Sequence, residues 1–551
     1  MTNAAIFLHT DALDTTRPRL LGRHSAGESF LRGFLRHADV EAFYLWHGGG
    51  STLEELQALV GRIEPVGKPI RWLRNTERAR LAEVGALNLP GPSIDDEAWA
   101  RQPYKAASYS ICGLTHTTAT ARTMTTLSNL LIAPVEAHDA LICTSAAVRA
   151  SVETQLEGVR DYLAAEYGGP RRRAELQRVV IPLGVNARDF AASAEHRQVW
   201  RERLDIPADA AVALYVGRFN AREKMNPALM ALSLERAAQR LDQPLYWVNS
   251  GWAGTEAEAE LFHDQTRALC PSVHYRVVDG RPPDTRFSIW SAADFFISFS
   301  DNIQESFGLT PVEAMAAGLP CVVTDWDGYR DTVRHGLDGF RVDTTAPGPG
   351  SGFDLTYWHA AGWSDYSAYV GAAAQYTAID FRHATDAICA LAASPELRRT
   401  LGAQAAQRAR EVFDWSAVVP QYQALWGELA ARRRAAPQVA GAMGNPFRPD
   451  PFTLYASYPT RHLADGWRAT LCPDMDWPAA QAVLSRPLAA YGYINRPNAA
   501  ECEKILAWLA ERPGAQVSEI VELFPAFRRP AIARGLLWIA RFGVIELRPG
   551  G

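Results

Sequence analysis

Two glutamates, Glu305 and Glu313, bracket seven residues in the run ESFGLTPVEAMAAGLPCVVT. An ionised carboxylate only accepts hydrogen bonds, so each suits a pair of vicinal sugar hydroxyls. Between them, Ser306, Phe307, Gly308, Leu309 and Thr310 form a turn that feeds a helix. The free N–H groups and positive dipole end of a helix N-terminus favour phosphate. A purely structural explanation competes. Thr310 suits an N-cap, Pro311 the first helical position and Glu313 the third, so T-P-V-E predicts a capping box in which Glu313 reaches back to the Thr310 backbone. Gly318 and Pro320 then end the helix.

Cations of the right kind stand elsewhere. The apolar run ALYVG leads into RFNAREKMNP, which places Arg218 and Lys224 in one loop after a strand, with Arg222 as a competitor. Two such cations offset charge that develops on a leaving diphosphate, although basic residues in surface loops usually serve only solvation. GLTHTT carries His116, a lone histidine of the kind that is more often structural. LLGRHSAGES supplies Gly22 and Gly27, with Arg23, Ser25 and Ala26 between them.

These residues need elements to hold them. Residues 1–185 alternate short apolar runs (AAIFL, AFYLW, ALICT, RVVIPLG) with longer helix-compatible stretches. A second series, AVALYVG, PLYWVNSG, SVHYRVVDG, DFFISFS, PCVVTD and GFRV, begins near residue 210. Strands alternating with helices predict two α/β units with parallel sheets, whose ligands bind beyond the carboxyl ends of the strands. The Gly-, Pro- and aromatic-rich stretch 344–365 reads as an ordered insertion or flap. Ser394–Pro395 caps a helix over 394–412, and WSAVVPQYQALWGELAARRRA forms another. A Pro/Gly-rich linker follows at 435–451. Beyond it, helical patterns at 499–511, 516–524 and 530–541 precede a strand-like GVIEL.

Bulk properties exclude several classes. At about 100–200 residues per domain, a 551-residue chain holds about three domains. A net charge of −5 supplies no global field toward nucleic acid or anionic lipid. The seven cysteines are scattered and never spaced as CxxC, which fits a reducing compartment better than a disulfide framework or structural zinc site. The apolar patch in MTNAAIFLHTDALD is short for a signal peptide and has no basic flank. No apolar run approaches the ~18 residues that span a bilayer. The expectation is a cytoplasmic protein, at most peripheral to the inner face of the membrane. No P-loop, no G-x-G-x-x-G after a strand and no G-x-S-x-G elbow is present. A glycosidase with Glu305 and Glu313 as its carboxylate pair is not excluded by spacing, but it would not use the phosphate-binding features around them.

Taken with the intervening SFGL and the following AMAAGLPCVVTD, the glutamate run resembles the E-x7-E motif of the retaining family-4 (group 1) glycosyltransferases. The resemblance extends over roughly residues 5–430. It implies the GT-B fold: two Rossmann-like domains facing a cleft, here at 1–190 (acceptor side) and 191–412 (donor side). A helix over 413–434 crosses back to the first domain, the linker spans 435–451, and a small, mostly α, winged-helix-like domain occupies 452–551. By the resemblance, Glu313 binds the ribose hydroxyls, Glu305 the donor sugar, and Arg218 and Lys224 the diphosphate. The Ser306–Thr310 backbone, with Gly22 and Gly27 in a first loop before a helix, lines the donor site, and His116 faces the cleft.

The implied reaction transfers a hexose from a nucleotide-diphosphate sugar to a hydroxyl of a glycan, lipid-linked or small-molecule acceptor. Configuration is retained, and neither a metal nor a cofactor beyond the donor itself takes part. Two departures touch the donor side: DWDGYRDTV (325–333) replaces a G-G-x-P-E-like turn, so that Arg330 and Asp331 alter what faces the donor, and the 344–365 insertion is long. Asp325 and Asp327 form a D-x-D string that follows a strand and reads as turn chemistry. The C-terminal module predicts a homodimer or protein partner through 452–551 in preference to nucleic acid, despite Arg528, Arg529, Arg534 and Arg541. The alternative function is a transferase-like carrier-recognition or regulatory protein whose C-terminal module binds a macromolecular partner.

Overall fold

The apolar runs form two parallel sheets. The computed structural model describes residues 3–9, 13, 22–48, 51–169, 176–437, 444–491 and 495–550, with the backbone alone at 22–24. In the first sheet, β1 (Ala5–Leu8), β2 (Phe43–His47), β3 (Ile70–Arg74), β4 (Ala86–Asn88), β5 (Ser110–Thr115), β6 (Ala140–Cys143) and β7 (Gln177–Val180) lie in the order β3-β2-β1-β4-β5-β6-β7. The second contains β8 (Ala211–Arg218), β9 (Leu245–Trp252), β10 (His274–Asp279), β11 (Phe295–Ser298), β12 (Cys321–Thr324) and β13 (Gly339–Val342), ordered β10-β9-β8-β11-β12-β13. All pairs in both sheets are parallel. The chain therefore has two Rossmann-like α/β domains, and each strand order reverses once, between β1 and β4 and between β8 and β11. Such reversals open crevices at the carboxyl ends, where open α/β sheets bind their ligands.

All six strands of the second sheet coincide with the runs read from the sequence; the central four, β8, β9, β11 and β12, are largely buried and almost wholly apolar, as buried parallel strands are. In the first sheet, β3, β4 and β5 escape that reading. The β3 sequence IRWLR interleaves arginines with apolar residues on an edge, β4 is three residues long, and SICGLT in β5 carries a serine and a glycine.

The helix Trp415–Ala435 returns to the first domain and packs on the helix Gly22–His37. Phe30 meets Trp415 edge-on at 5.6 Å between ring centres, Phe34 meets Trp426 at 5.8 Å, and Trp415 Nε1 donates to Ser29 Oγ at 2.8 Å. Trp415, Trp426 and Phe34 are almost wholly buried. Each contributes about 1.5–3 kcal/mol relative to exposure. Asp414 caps this helix through the Ser416 N–H and also accepts from the Ala187 N–H at 3.0 Å, which fastens the connection between the domains to the returning helix.

The 344–365 stretch is ordered. It begins with β14 (Thr344–Thr345), which pairs with β15 (Ala378–Ile379), and this neck holds two short helices, Phe353–Ala360 and Tyr366–Ala374. Of the 435–451 stretch, residues 438–443 lie outside the described residues. Residues 446–551 form a compact unit of their own. There β16 (Arg468–Leu471) sits between β17 (Ala515–Gln516) and β18 (Ile545–Arg548), beside the helices Ala499–Glu511, Val517–Glu522 and Arg529–Arg541. Arg528 is occupied by Glu501 at 2.7 Å, and Arg529 donates to the Phe524 carbonyl. The last helix buries Ile532, Leu536 and Ile539, while Leu537 is exposed. Among the described residues no helix is long and apolar enough to cross a membrane.

One polar contact in the first domain is wholly buried. Arg101 grips Asp139 through two bonds of 2.6 and 2.7 Å, and Asp139 also accepts from the Ile111 and Glu136 N–H groups. Removing one partner leaves an uncompensated charge in the core, which costs about 3–5 kcal/mol. Arg101→Met is therefore expected to lower the stability of the first domain by that amount, read from the urea midpoint by circular dichroism. A midpoint unchanged from wild type would mean that the pair contributes nothing.

Candidate active site

At the reversal in the second sheet, the loops leaving β8 and β11 are stitched together. Asn220 Oδ1 accepts from the N–H groups of Arg222 and Glu223 at 3.0 and 2.8 Å, and its carbonyl accepts from Lys224 N–H at 3.1 Å. This fold turns the Lys224 side chain toward the β11 loop, where its ammonium pairs with Glu305. Asn302 Nδ2 donates to the Arg222 carbonyl at 2.7 Å, and Gln304 Nε2 donates to that of Glu223. Arg222 itself is exposed, so Lys224 is the cation that meets the glutamate. Arg218, at the end of β8, pairs with Glu223 at 3.2 Å.

Burial raises the Glu305 carboxyl, but the Lys224 charge and hydrogen bond, with the Ser306 and Phe307 N–H groups, outweigh it and hold the carboxyl below its usual range. Glu313 is in the opposite situation. Burial pushes its carboxyl up, and the more distant charges of Arg286 and Lys224 only partly oppose this. Among the described residues nothing hydrogen-bonds or ion-pairs with the Glu313 side chain.

The expected capping box is absent. The helix runs Leu309–Ala316 and its N-cap is Gly308, at φ 84°, so Thr310 lies inside the first turn and Glu313 sits too far along to reach an end N–H. The reason is steric. A Cβ on Gly308 would stand 2.2 Å from the Tyr329 ring, and one on Gly328 would stand 2.3 Å from Phe307 Cα. The chain at 307–308 is thus pressed against the 328–329 turn and must enter the helix through a left-handed glycine. With Gly308 as the cap, Glu313 is free for a ligand. Among the described residues nothing accepts from the N–H groups of Gly308, Leu309 and Thr310 either. Gly318 ends the helix as expected, at φ 80°.

The first domain closes over this site. Ser306 Oγ donates to the His116 carbonyl at 2.7 Å, and Thr144 Oγ1 donates to the Ser306 carbonyl at 3.1 Å. The unusual DWDGYRD turn also serves this contact. Asp331 accepts from the Ala146 N–H at 2.5 Å, at the positive end of the helix Ala146–Tyr167, and Ser145 Oγ donates to Asp327 at 3.3 Å. Asp331 therefore ties the two domains. Arg330 is exposed and lies 3.8 Å from Asp325, which also pairs with Arg341 at 3.2 Å. The two carboxylates of the D-x-D string are thus engaged with different partners.

Two cavities result. Glu313 shares one with Ser25, Glu28, Arg32, Asn186 and Arg286. His116 lines the other, whose walls are mostly apolar (Leu8, Phe30, Leu89, Leu114, Trp415) and whose polar members include Asn88. Gly27 belongs to the His116 cavity, not to that of Glu313. Gly22 and Gly27 lie in the helix Gly22–His37, not in a loop before it. Of the expected loop stretch, which begins at Leu20, residues 20 and 21 lie outside the described residues. Glu28, Arg286 and Gln304 were not read as site residues, and Asp327 was read only as turn chemistry. Arg286 and Glu313 both belong to the second domain, and only Glu28 joins their cavity through the domain pairing.

The scan of family models matches residues 196–348 to "Glycosyl transferases group 1". Among curated proteins, the chain is similar to D-inositol 3-phosphate glycosyltransferases. That of Corynebacterium efficiens is 28% identical over 230 residues, 41% of this chain and 45% of the relative. That of Kineococcus radiotolerans is 31% identical over 273 residues, covering 47% and 54%. The chain spans about half the length of the curated relatives it matches. Among solved structures, Anabaena Alr3699/HepE in complex with UDP is similar in fold at a TM-score of 0.52 and 17% identity, over 77% of this chain and 100% of that one. The same protein with UDP and glucose gives 0.51 and 16%, with the same coverage. These likenesses agree with two Rossmann-like domains in the GT-B arrangement.

Asp301, at the start of the stitched loop, makes a pH-dependent contribution. Burial pushes its carboxyl up to about 7, against the bond from the Asn226 N–H. The unfolded value is about 3.9, so between these limits the folded state binds more protons than the unfolded one. Stability from this residue therefore falls as pH rises from about 4 to about 7 and stays low above. Asp301→Asn lacks this dependence. Its stability relative to wild type is expected to rise from pH 4 to pH 8 in urea titrations; curves that run parallel across that range would refute the assignment. Gly308→Ala, forced into a left-handed conformation against Tyr329, is expected to cost more than about 1 kcal/mol by the same measurement, and a cost near zero would contradict the described contact.

Proposed function

As residues 196–348 form a group 1 glycosyltransferase domain, we propose that this chain transfers a hexose from a nucleotide-diphosphate sugar to a hydroxyl acceptor, with retention of configuration and without a metal ion. One observation carries the reading: a Lys224–Glu305 pair and an unpartnered Glu313 stand on either side of a helix N-terminus whose first N–H groups are free. The diphosphate fits those N–H groups together with Arg218 and Lys224. Glu313 accepts the ribose hydroxyls, and Glu305, kept ionised by Lys224, accepts hydroxyls of the donor hexose.

The chemistry follows from charge placement. As the bond from the anomeric carbon to the diphosphate oxygen breaks, negative charge grows on the leaving group beside two cations and a helix dipole. The acceptor hydroxyl approaches from the same face. Its proton passes to the departing diphosphate oxygen as its own oxygen bonds to the anomeric carbon, so no separate nucleophile is needed. The His116 cavity lies on the other side of the Ser306 contact and suits the acceptor, with His116 and Asn88 as polar groups among apolar walls. The complexes of the Anabaena protein with UDP and with UDP and glucose support a uridine donor as the first to test.

Lys224→Ala is expected to lower kcat by about 10²–10³, the size typical of losing one preorganised charge partner, with release of nucleoside diphosphate as the assay. Glu313→Ala is expected to raise the donor KM. Turnover unchanged in both variants would remove the catalytic assignment. Activity is expected to persist in EDTA, and loss that manganese restores would overturn the metal-free mechanism. In thermal shifts, the correct nucleotide at a hundred times its Kd stabilises by about 2.7 kcal/mol, which identifies the base without an acceptor.

A further inference from the structure

The insertion between β14 and β15 carries rings that the protein leaves uncovered. No residue of its helix Phe353–Ala360 is buried. Phe353 is 75% exposed, Tyr357 53%, Trp358 44% and Trp363 74%. These are not scattered side chains. Phe353 and Tyr357 stack one helical turn apart, with ring centres at 6.3 Å and planes within 24°, and Trp363 meets Tyr357 edge-on at 6.0 Å. The support beneath them is fixed: His359 stacks on Tyr369 at 4.7 Å and bonds the Ser364 carbonyl at 2.8 Å.

The platform is continuous with the candidate active site. Three residues after Trp363, the Tyr366 hydroxyl donates to Gln304 Oε1 at 2.8 Å, next to Glu305 in the stitched loop. Burial raises that hydroxyl, and a hydrogen bond to Thr117, the neighbour of His116, opposes the rise. A ligand on the rings thus lies beside the mouth that both domains share.

Charge decides among occupants. Residues 344–379 contain no lysine or arginine, and their only ionised side chains are Asp354 and Asp365. Membrane-surface segments combine apolar rings with basic residues that face anionic lipid, and anionic polysaccharides need the same cations. Neither has a counterpart here. The faces of neutral pyranose rings present polarised C–H groups, which pack on the negative face of an aromatic ring.

We propose that this aromatic platform is a binding subsite for a neutral oligosaccharide, which holds the part of a glycan acceptor that lies outside the cleft. The proposal rests on the transferase reading for its role but not for its binding. The chain therefore belongs with transferases whose acceptor is an extended glycan, and it binds longer neutral acceptors more tightly than short ones.

The test uses the full-length protein and linear hexasaccharides and disaccharides of glucose, mannose and N-acetylglucosamine, with affinities measured by calorimetry. At least one hexasaccharide is expected to bind, more tightly than its disaccharide, and Trp363→Ala and Tyr357→Ala to weaken it at least about tenfold. Both side chains stand in solvent, so neither variant should unfold, and both should keep the wild-type thermal shift with UDP. Lys224→Ala should keep oligosaccharide binding, which separates failure of this subsite from failure of the transfer reaction. No binding by any hexasaccharide, or equal binding by wild type and both variants, overturns the proposal. So does co-sedimentation with phosphatidylcholine vesicles that Trp363→Ala abolishes, which would make the rings a membrane contact.

Discussion

The salt bridge between Lys224 and Glu305 is the contact on which the site depends. It joins the loops that leave β8 and β11, the two strands between which the second sheet reverses its order. A carboxylate buried there without a cation would protonate and lose its capacity to accept from two hydroxyls at once. With Lys224 beside it, Glu305 remains ionised, and the side-chain amides of Asn302 and Gln304, which donate to backbone carbonyls of the neighbouring loop, fix the geometry of the pair. In the proposed reaction the same lysine would also balance the charge of the leaving diphosphate.

A steric constraint completes the arrangement. Because the backbone at 307–308 touches the 328–329 turn, the helix that carries Glu313 starts at a glycine and leaves its first N–H groups unoccupied. A Thr310 cap would have tied Glu313 to the backbone, and a carboxylate so engaged could not also hold a ribose. The turn that imposes the glycine is the DWDGYRD segment, whose Asp327 and Asp331 reach across to Ser145 and Ala146. Shaping of the helix start and closure by the first domain are therefore two effects of one turn. The turn that departs from the G-G-x-P-E pattern is thus the one that contacts the first domain.

The insertion after β14 adds a second surface to the same region. It is linked to the stitched loop through Tyr366 and Gln304, so its aromatic rings stand beside the site and not at a remote edge. The C-terminal unit, residues 446–551, is built differently, as helices around a three-stranded antiparallel sheet with its own core. Two of its arginines make internal contacts, Arg528 with Glu501 and Arg529 through its Nε with the Phe524 carbonyl.

Much of this was legible in the sequence. The central strands β8, β9, β11 and β12 of the second sheet are buried apolar runs and were readable, as were the edge strands β10 and β13 from their short apolar stretches, and the E-x7-E run marked the segment proposed to bind the donor. Local pattern failed where arginines interrupted the apolar residues of a strand, as in IRWLR, or where a strand was too short to show a period, as in ALN. It also misplaced the cap, because the choice between Thr310 and Gly308 is made by Tyr329, a residue distant in the chain. The selection of Lys224 over Arg222, the alliance of Asp331 with a helix of the other domain, and the entry of Arg286 and Glu28 beside Glu313 are likewise invisible locally. Residue type and spacing determined which groups could do the chemistry; strand order and domain packing decided which of them meet, because charge and contact act through space and not along the chain.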